Sequence, residues 1–458
     1  MITHQAFRFE LDPNDQMSSA LSSHCGASRF AYNTMLSYVC WALDARAFEA
    51  RTTGSPTTQV PWNLYALRKE WNEIKCDIAP WWQDNSKEAY NSGLDALGRA
   101  LSNFSSSRKG LRRGSKVGFP KYKKRGSRQS FRYSTGSFGV VDDRHVKLAR
   151  IGVIRVKERT TKLIEQLDAN NARILSCTIS KSANRWFIAF GCEVERNDVS
   201  AHNFESVVGV DLGIRHLATL STGEVIANPK PLQRYQRRMA RLQRELSRRH
   251  NGSKRRARTK VAISRQHVRI ANIRNDAIAK ATTNLARNYA SVVIEDLNVV
   301  AMTSSPKRVV DPHNEQAFLA NGKRAKAGLN RSLSDVSFGE FRRRLIYKMG
   351  WRQGRLIVAD RYYPSSKTCS SCKQVKTKLD LARSTYRCDC GLEIDRDLNA
   401  AINLGVYGHQ VVAGSGPETQ TARGGGHPRI RPKPLMKRED GTEKSGQTVT
   451  VSSQGEAA

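Results

Sequence analysis

Residues 207–227, VVGVDLGIRHLATLSTGEVIA, decide how the rest of the chain is read. An apolar run ends on an acid, a glycine-bearing turn follows, and a second apolar stretch returns. That is a pair of strands in a hairpin, with Asp211 closing the first. The pattern recurs downstream. SVVIE at 291–295 is an apolar run closed by Glu295, and RLIVAD at 355–360 is a third strand. Helical stretches alternate with these runs, including the end of a helix before Ser291 and FGEFRRRLIYKMGW at 338–351. The region from Ser206 onward therefore reads as a layered α/β domain. A third acid, Asp397, sits in DRDLNAAINL at 395–404, whose later residues continue as a helix. Taken singly, each acid is as readily a cap or turn residue. If the three converged, they would repel one another strongly unless hard cations such as Mg²⁺ neutralised them. Two ions about 4 Å apart could then activate water and stabilise the leaving oxygen of a phosphodiester.

Four of the nine cysteines fall within 22 residues, as Cys369-x2-Cys372 and Cys388-x-Cys390. Two close pairs at this separation predict a zinc ribbon: four thiolates close a tetrahedral structural Zn²⁺ site with no position left for catalytic water. The second pair is CxC, which predicts a tighter turn than CxxC. The odd cysteine count and the clustering argue for a reducing compartment, hence a cytoplasmic location, and against a disulfide framework. Cys25, Cys40, Cys76, Cys177 and Cys192 lie in predicted elements and are expected to be small core residues. His216, His250 and His267 are isolated. Nothing resembles a phosphate-binding P-loop, a nucleophilic serine elbow or a Cys/His pair, so ATP hydrolysis and acyl transfer have no support.

The chain has 458 residues, with 77 Lys plus Arg against 41 Asp plus Glu, a formal charge of +36. The length predicts about two to four domains. The charge predicts a polyanionic partner, nucleic acid by default. A hydrophobic fraction of 39% still supports a folded core. No apolar run is long enough to span a membrane, and the first 30 residues lack a secretory pattern. Two segments concentrate the basic charge. Residues 108–132 hold eleven Lys/Arg and no acid, with Phe119, Tyr122 and Phe131 interleaved. A solvated loop is the plain alternative, but planar side chains among cations suit phosphate contact and base stacking. Residues 230–280 hold 17 Lys/Arg and only Glu245 and Asp276 as acids. Their helical spacing predicts two long basic helices around a turn at Asn251-Gly252. Upstream, HQAFRFELDP reads as a strand, with Asp12 as a helix cap and Pro13 in the first turn. Helix follows to about Ala50, then a loop over 51–61, then a second helical stretch from Trp62 to about Phe104, broken near Pro80. From 129 to 196 the signal is strand throughout, and 197–204 is a polar boundary.

VVGVDLGIRHLATLS, SVVIEDLNV, DRYYPSSKTCSSC and CDCGLEIDRDLNAAINL, in this order, resemble the TnpB family of transposon-encoded RNA-guided nucleases, to which compact type V CRISPR effectors are related. CGASRFAYN, GFPKYKKRGSRQSFRY and RILSCTISKSANRWFIAF extend the resemblance to roughly residues 5–407. It implies a multidomain α/β plus all-β chain. The first strand (1–12) of a wedge-type β-barrel would be followed by an inserted helical recognition domain (13–127) and the rest of the barrel (128–200). An RNase H-like RuvC nuclease domain (201–363 and 395–407) would carry a zinc ribbon (364–394). The last 50 residues, from His409, are rich in Gly, Pro, Ser, Thr and Lys with few large apolar residues, and that composition by itself predicts a disordered tail at 408–458. Asp211, Glu295 and Asp397 match the family's three Mg²⁺-binding catalytic acids, and Cys369, Cys372, Cys388 and Cys390 match its zinc cysteines. Asp397, directly before LNAA, fits better than Asp395. The resemblance also implies a guide RNA and target double-stranded DNA as partners, one chain per RNA with a dimer left open. Arg112, Arg113, Lys121, Tyr122, Lys123 and Lys124 are the candidates for nucleic-acid contact. The stretch from Ser304 to Asn330 is longer than expected and is not assigned. A compact CRISPR effector, a guide-directed DNA-binding protein that does not cut, and a strand-transfer transposase remain as alternatives.

Overall fold

The computed structural model describes residues 2–414 apart from Arg113, Ser127, Ser137, 197–205, Arg308, 312–313 and 380–383. The expectations for Arg113, for the polar boundary at 197–204 and for most of the C-terminal tail lie outside the described residues.

Alternating apolar and polar residues form β1 (Ile2–Leu11), and three helices intervene before the next strand: α1 (Asp15–Thr52), α2 (Leu64–Ile78) and α3 (Lys87–Arg108). Then come β2 (Ser130–Tyr133), β3 (Gly139–Asp142), β4 (His145–Leu148), β5 (Gly152–Arg155), α4 (Thr161–Asp168), β6 (Ala172–Ser182) and β7 (Arg185–Glu195). One antiparallel sheet has the order β1-β7-β6-β2, and a second has the order β3-β4-β5. They meet where Leu11 bridges Val156. That junction explains why the helix does not start at Asp12. The Asp12 N–H donates to the Arg155 carbonyl at 2.8 Å, so the chain stays extended. Asn14 is the cap instead, its Oδ1 accepting from Met17 N–H at 2.8 Å. The eight-residue α4 interrupts a region whose sequence reads as strand throughout; its buried Leu163 belongs to the same core. That core joins Met35 and Leu36 of α1 and Leu94 and Leu97 of α3 to Phe131, Ile188 and Phe190 of the first sheet. Cys25, Cys177 and Cys192 are buried as expected, but Cys76, near the end of α2, is exposed.

The second half opens with β8 (Val207–Asp211), β9 (His216–Leu220) and β10 (Val225–Ala227), three strands where the sequence predicts two. The basic helices are α5 (Pro231–Arg248) and α6 (Lys254–Asn288), the latter capped by Ser253 Oγ accepting from Arg256 N–H at 3.1 Å. Next are β11 (Ser291–Glu295), α7 (Val299–Thr303), β12 (Val310–Asp311), β13 (Asn314–Phe318), α8 (Lys323–Val336) and α9 (Phe338–Trp351). The unassigned stretch from Ser304 thus holds a short hairpin and most of α8. The chain continues with β14 (Arg355–Ala359), β15 (Thr385–Arg387), β16 (Glu393–Asp395) and α10 (Arg396–Val412). That last helix runs past residue 408, where the sequence places the start of the tail.

Five strands form one sheet in the order β10-β9-β8-β11-β14. The first three are antiparallel; β11 is parallel to β8, and β14 is parallel to β11. Phe341, Leu345 and Met349 of α9 and Ile278 and Leu285 of α6 pack with Val208, Val210, Val292 and Ile294. The other sheet face carries α10, with Leu404 and Tyr407 against Val293 and Ile357. The helix approaches β8 as closely as backbones allow. A Cβ on Gly209 would lie 2.0 Å from the Ala401 carbonyl oxygen and 2.3 Å from the Gly405 nitrogen. Glycine is the only residue that leaves room there, and the contact fixes how far α10 sits along β8.

Candidate active site and metal centre

Asp211 is the last residue of β8 and Glu295 the last of β11. The parallel ladder pairs Val207 with Ser291 through Val210 with Ile294. The two acids therefore follow side by side at the same sheet edge, on strands about 4.8 Å apart. The third acid arrives by tertiary packing. Asp397 lies in the first turn of α10, while Ala401, Gly405 and Gly408 run back over β8 and β11. A Cβ on Gly213 would stand 3.9 Å from Asp397 Oδ2, so this carboxylate lies against the Asp211-Leu212-Gly213 turn. Asp395 serves the helix instead. Its Oδ1 caps α10, accepting from the N–H groups of Asp397 at 2.9 Å and Leu398 at 3.2 Å.

The electrostatics register this convergence. Burial, together with the charges of Glu295, Asp397 and Asp395, pushes the Asp211 carboxyl up to about 8, against only the partial relief of Arg396. Arg396 Nε lies 3.6 Å from Asp397 Oδ1. The carboxylates form an open constellation. Among the described residues, only the four cysteines bring three or more His, Cys, Asp or Glu ligand atoms within 4.8 Å of one another. Hard oxygen donors carrying uncompensated negative charge are a donor set suited to Mg²⁺.

The sign of this shift sets a pH dependence. Below about pH 4, Asp211 is protonated in both folded and unfolded chains. As pH rises toward 8, the unfolded chain ionises while the folded site resists, so stability is lost across that window. In chelator, Asp211→Asn should therefore melt at the same temperature as the parent near pH 4 and progressively higher by pH 8, by on the order of 5 °C. Thermal denaturation across this range tests it, and a variant that is less stable at pH 8 contradicts it.

Residues that the sequence does not single out hold the acids in place. Glu295 Oε1 accepts a hydrogen bond from Ser365 Oγ. Asp296 accepts from Arg342 Nη1 at 2.7 Å and Arg361 Nη2 at 2.5 Å. Burial would raise the Asp296 carboxyl, but these two guanidiniums outweigh it and hold it below its ordinary range. Asn399 and Asn403, both buried on α10, tie the chain that enters the cysteine cluster to that helix. Asn399 Oδ1 accepts from Ser370 N–H at 2.9 Å, and its Nδ2 donates to the Thr368 carbonyl at 2.8 Å. Asn403 Nδ2 donates to the Ser365 and Thr368 carbonyls at 2.9 and 2.7 Å. Asparagines one turn apart inside a helix, where they are poor helix formers, were the available signal.

The cysteine cluster is built from two turns. In the first, the Cys369 N–H donates to the Gln374 carbonyl at 2.9 Å, and Lys373 has φ 64°. In the second, Gly391 at φ 88° lets the Cys388 N–H reach the Leu392 carbonyl at 2.9 Å, which is how the CxC pair closes. Cys369 Sγ lies 3.7 Å from Cys390 Sγ, and Cys372 Sγ lies 3.6 Å from Cys388 Sγ. Tetrahedral zinc with bonds of about 2.3 Å sets its sulfurs about 3.8 Å apart, close to this spacing. Burial raises the Cys369 thiol, but the Cys372 and Ser371 N–H groups and the neighbouring thiols outweigh it and lower it to about 6. At Cys372, against the Gln374 N–H, the other thiols of the cluster push the thiol up to about 12. Without a cation the cluster therefore gives up one proton readily and resists losing the next.

The basic candidates divide. Arg112, Lys121, Tyr122 and Lys124 are exposed on the segment after α3. Lys123 turns inward. Its ammonium sits 3.9 Å from the Tyr32 ring centre, and its N–H donates to Asn33 Oδ1 at 2.8 Å.

Two carboxylates at strand ends with a third from the first turn of α10, and a four-cysteine cluster tied to that same helix, give the chain two separate groups of candidate metal ligands. Residues 189–305 match the family described as "Probable transposase", residues 338–404 the "Cas12f1-like, TNB domain", and residues 1–46 a "Helix-turn-helix domain". A Mycobacterium tuberculosis protein named "Putative RNA-guided DNA endonuclease" is 34% identical over 95% of this chain and 93% of its own length. InsQ of Escherichia coli, with the same designation, is 33% identical over 89% of this chain and 93% of its own. The chain belongs to the TnpB family. A solved Cas12f1–sgRNA–target DNA complex aligns over 88% of this chain and 99% of its protein, with TM-score 0.45 and 9% identity.

Proposed function

We propose that this chain is a transposon-type, RNA-guided, Mg²⁺-dependent DNA endonuclease. Asp211, Glu295 and Asp397 are its catalytic acids, and Cys369, Cys372, Cys388 and Cys390 hold a structural zinc. One observation carries the reading: three carboxylates from distant parts of the sequence meet at one sheet edge without enough positive charge to balance them. The order β10-β9-β8-β11-β14 supports an RNase H-like domain, and the junction of the two N-terminal sheets supports a barrel with helices inserted after its first strand. Two divalent ions bound by the acids would supply an activated water and charge stabilisation at the departing 3′ oxygen. The chain's own residues prepare for this. The ends of β8 and β11 hold Asp211 and Glu295 rigidly, Ser365 orients Glu295, and the Gly209 contact sets Asp397 opposite them. The charge of +36 and the exposed cations of 108–132 and of α5–α6 support an extended RNA and DNA partner. Base pairing would then read the target sequence, and the protein a short flanking motif.

The test is to express the chain with its native flanking DNA, sequence the co-purified RNA, and assay cleavage of a matching plasmid. Cleavage that needs both the RNA and Mg²⁺, and that stops in EDTA, is expected. RNA-directed binding with no cutting at any Mg²⁺ concentration would turn the assignment to a DNA-binding regulator. Joined strands without an RNA requirement would turn it to a transposase.

A further inference from the structure

A cleft of about 890 Å³ lies between the tip of the β6–β7 hairpin and the basic helices α5 and α6, outside the acid site. Its rim is cationic. Arg238, Arg258, Arg265 and Arg269 line it, and no carboxylate does. Arg238, Arg258 and Arg265 have no ion-pair partner among the described residues. Its floor is apolar, made by Phe187, Val261, Ala262 and Ile273. Gln266 also lines it, only 4% exposed, and its buried amide nitrogen has no hydrogen-bond partner. A buried amide left unsatisfied is costly, and a ligand group reached by a turn of this side chain would recover that cost.

We infer that this cleft holds a single nucleotide extruded from the bound guide RNA, its base on the apolar floor beside Gln266 and its phosphates against the arginine rim. The inference rests on the proposed RNA partner and adds a defined subsite to it. The volume falls in the range of small-ligand sites, about 300–1,000 Å³. Apolar faces with a polar edge are what a nucleobase presents, and unpaired guanidiniums are what a phosphodiester needs. Glutamine, with one donor and one acceptor side by side, is suited to a base edge. The hairpin closes through a two-residue turn at Ala183 and Asn184, both at positive φ, a turn whose twist matches that of the flanking strands. A bound nucleotide would bridge the two halves of the protein.

The experiment uses the full chain and its own co-purified RNA. RNA is titrated back onto RNA-free parent, Val261→Trp and the double variant Arg258→Ala/Arg265→Ala, and every nucleotide of each complex is probed by 2′-hydroxyl acylation. Filling the floor with Val261→Trp should weaken binding about tenfold. It should also change acylation at one nucleotide, by severalfold, and leave the rest alone. The double variant changes only exposed side chains, so it folds, and it should lower the salt dependence of binding by about two charges. The inference is overturned if Val261→Trp binds within twofold of the parent with the same acylation pattern. It is also overturned if the change spreads along a run of paired positions, which means a duplex resting on the rim. If the parent retains no RNA at all, the guide reading itself fails and the subsite falls with it.

Discussion

Asp211→Ala should lower DNA cleavage by at least about 10³-fold while leaving guide-directed DNA binding within a few fold of the parent. The magnitude follows from the place of the residue. Asp211 is the buried acid whose carboxyl feels the charges of both Glu295 and Asp397. Removing it takes away the ligand best placed to be shared between two ions, and a loss of about 4 kcal/mol of transition-state stabilisation gives this factor. Unfolding is not an available explanation for the loss. The folded chain holds Asp211 against repulsion, so the variant should be at least as stable as the parent in the absence of metal. The basic segments that would carry RNA do not include it. Plasmid cleavage and electrophoretic binding assays, run on the same guide-loaded preparations, measure the two quantities. A variant that cuts within tenfold of the parent removes Asp211 from the chemistry.

What could be read in advance depended on how local the signal was. The central strands β8 and β11 and the edge strand β14 are all buried, and such strands appear as continuous apolar runs, so their ends at Asp211, at Glu295 and near Ala359 were visible. The helix at Phe338–Trp351 was equally plain, because its apolar face recurs at helical spacing. The three-residue β10 and the eight-residue α4 are too short for any period to register. The helix start moved from Asp12 to Asn14 because a sheet junction, made with residues more than 140 positions away, uses the Asp12 backbone. Convergence of Asp397 with the other two acids is likewise a tertiary fact. The clue lay in glycines rather than acids: Gly209 inside a strand and Gly405 inside a helix mark where two backbones must touch. The inward turn of Lys123 has no counterpart in the sequence, since a lysine within a run of cations looks like its neighbours until Tyr32 is known to lie beneath it.

The four-cysteine cluster should also prove necessary to cutting, although it is separate from the three acids. Between β14 and α10 the described chain buries little apolar material, chiefly Cys369 and the Tyr386 ring. Two short strands and an isolated bridge between Thr368 and Val375 cannot hold such a segment folded alone. Zinc in a four-cysteine site contributes about 10–16 kcal/mol, enough to make folding of the ribbon conditional on the metal. The effect would then travel to the acids by named bonds. Ser365 holds Glu295, Asn403 holds the Ser365 carbonyl, and Asn399 holds Thr368 and Ser370, both asparagines lying on the helix that bears Asp397. Loss of the metal should release these contacts together. The purified parent is expected to contain one zinc per chain by elemental analysis. Cys369→Ser should contain less than about a fifth of that, become susceptible to protease within 364–395, and lose at least about 10²-fold in cleavage, whereas Cys76→Ser, at an exposed thiol outside the cluster, should match the parent in all three. Full cleavage by a zinc-free Cys369→Ser protein would show that the ribbon neither needs its metal nor steadies Glu295 and Asp397.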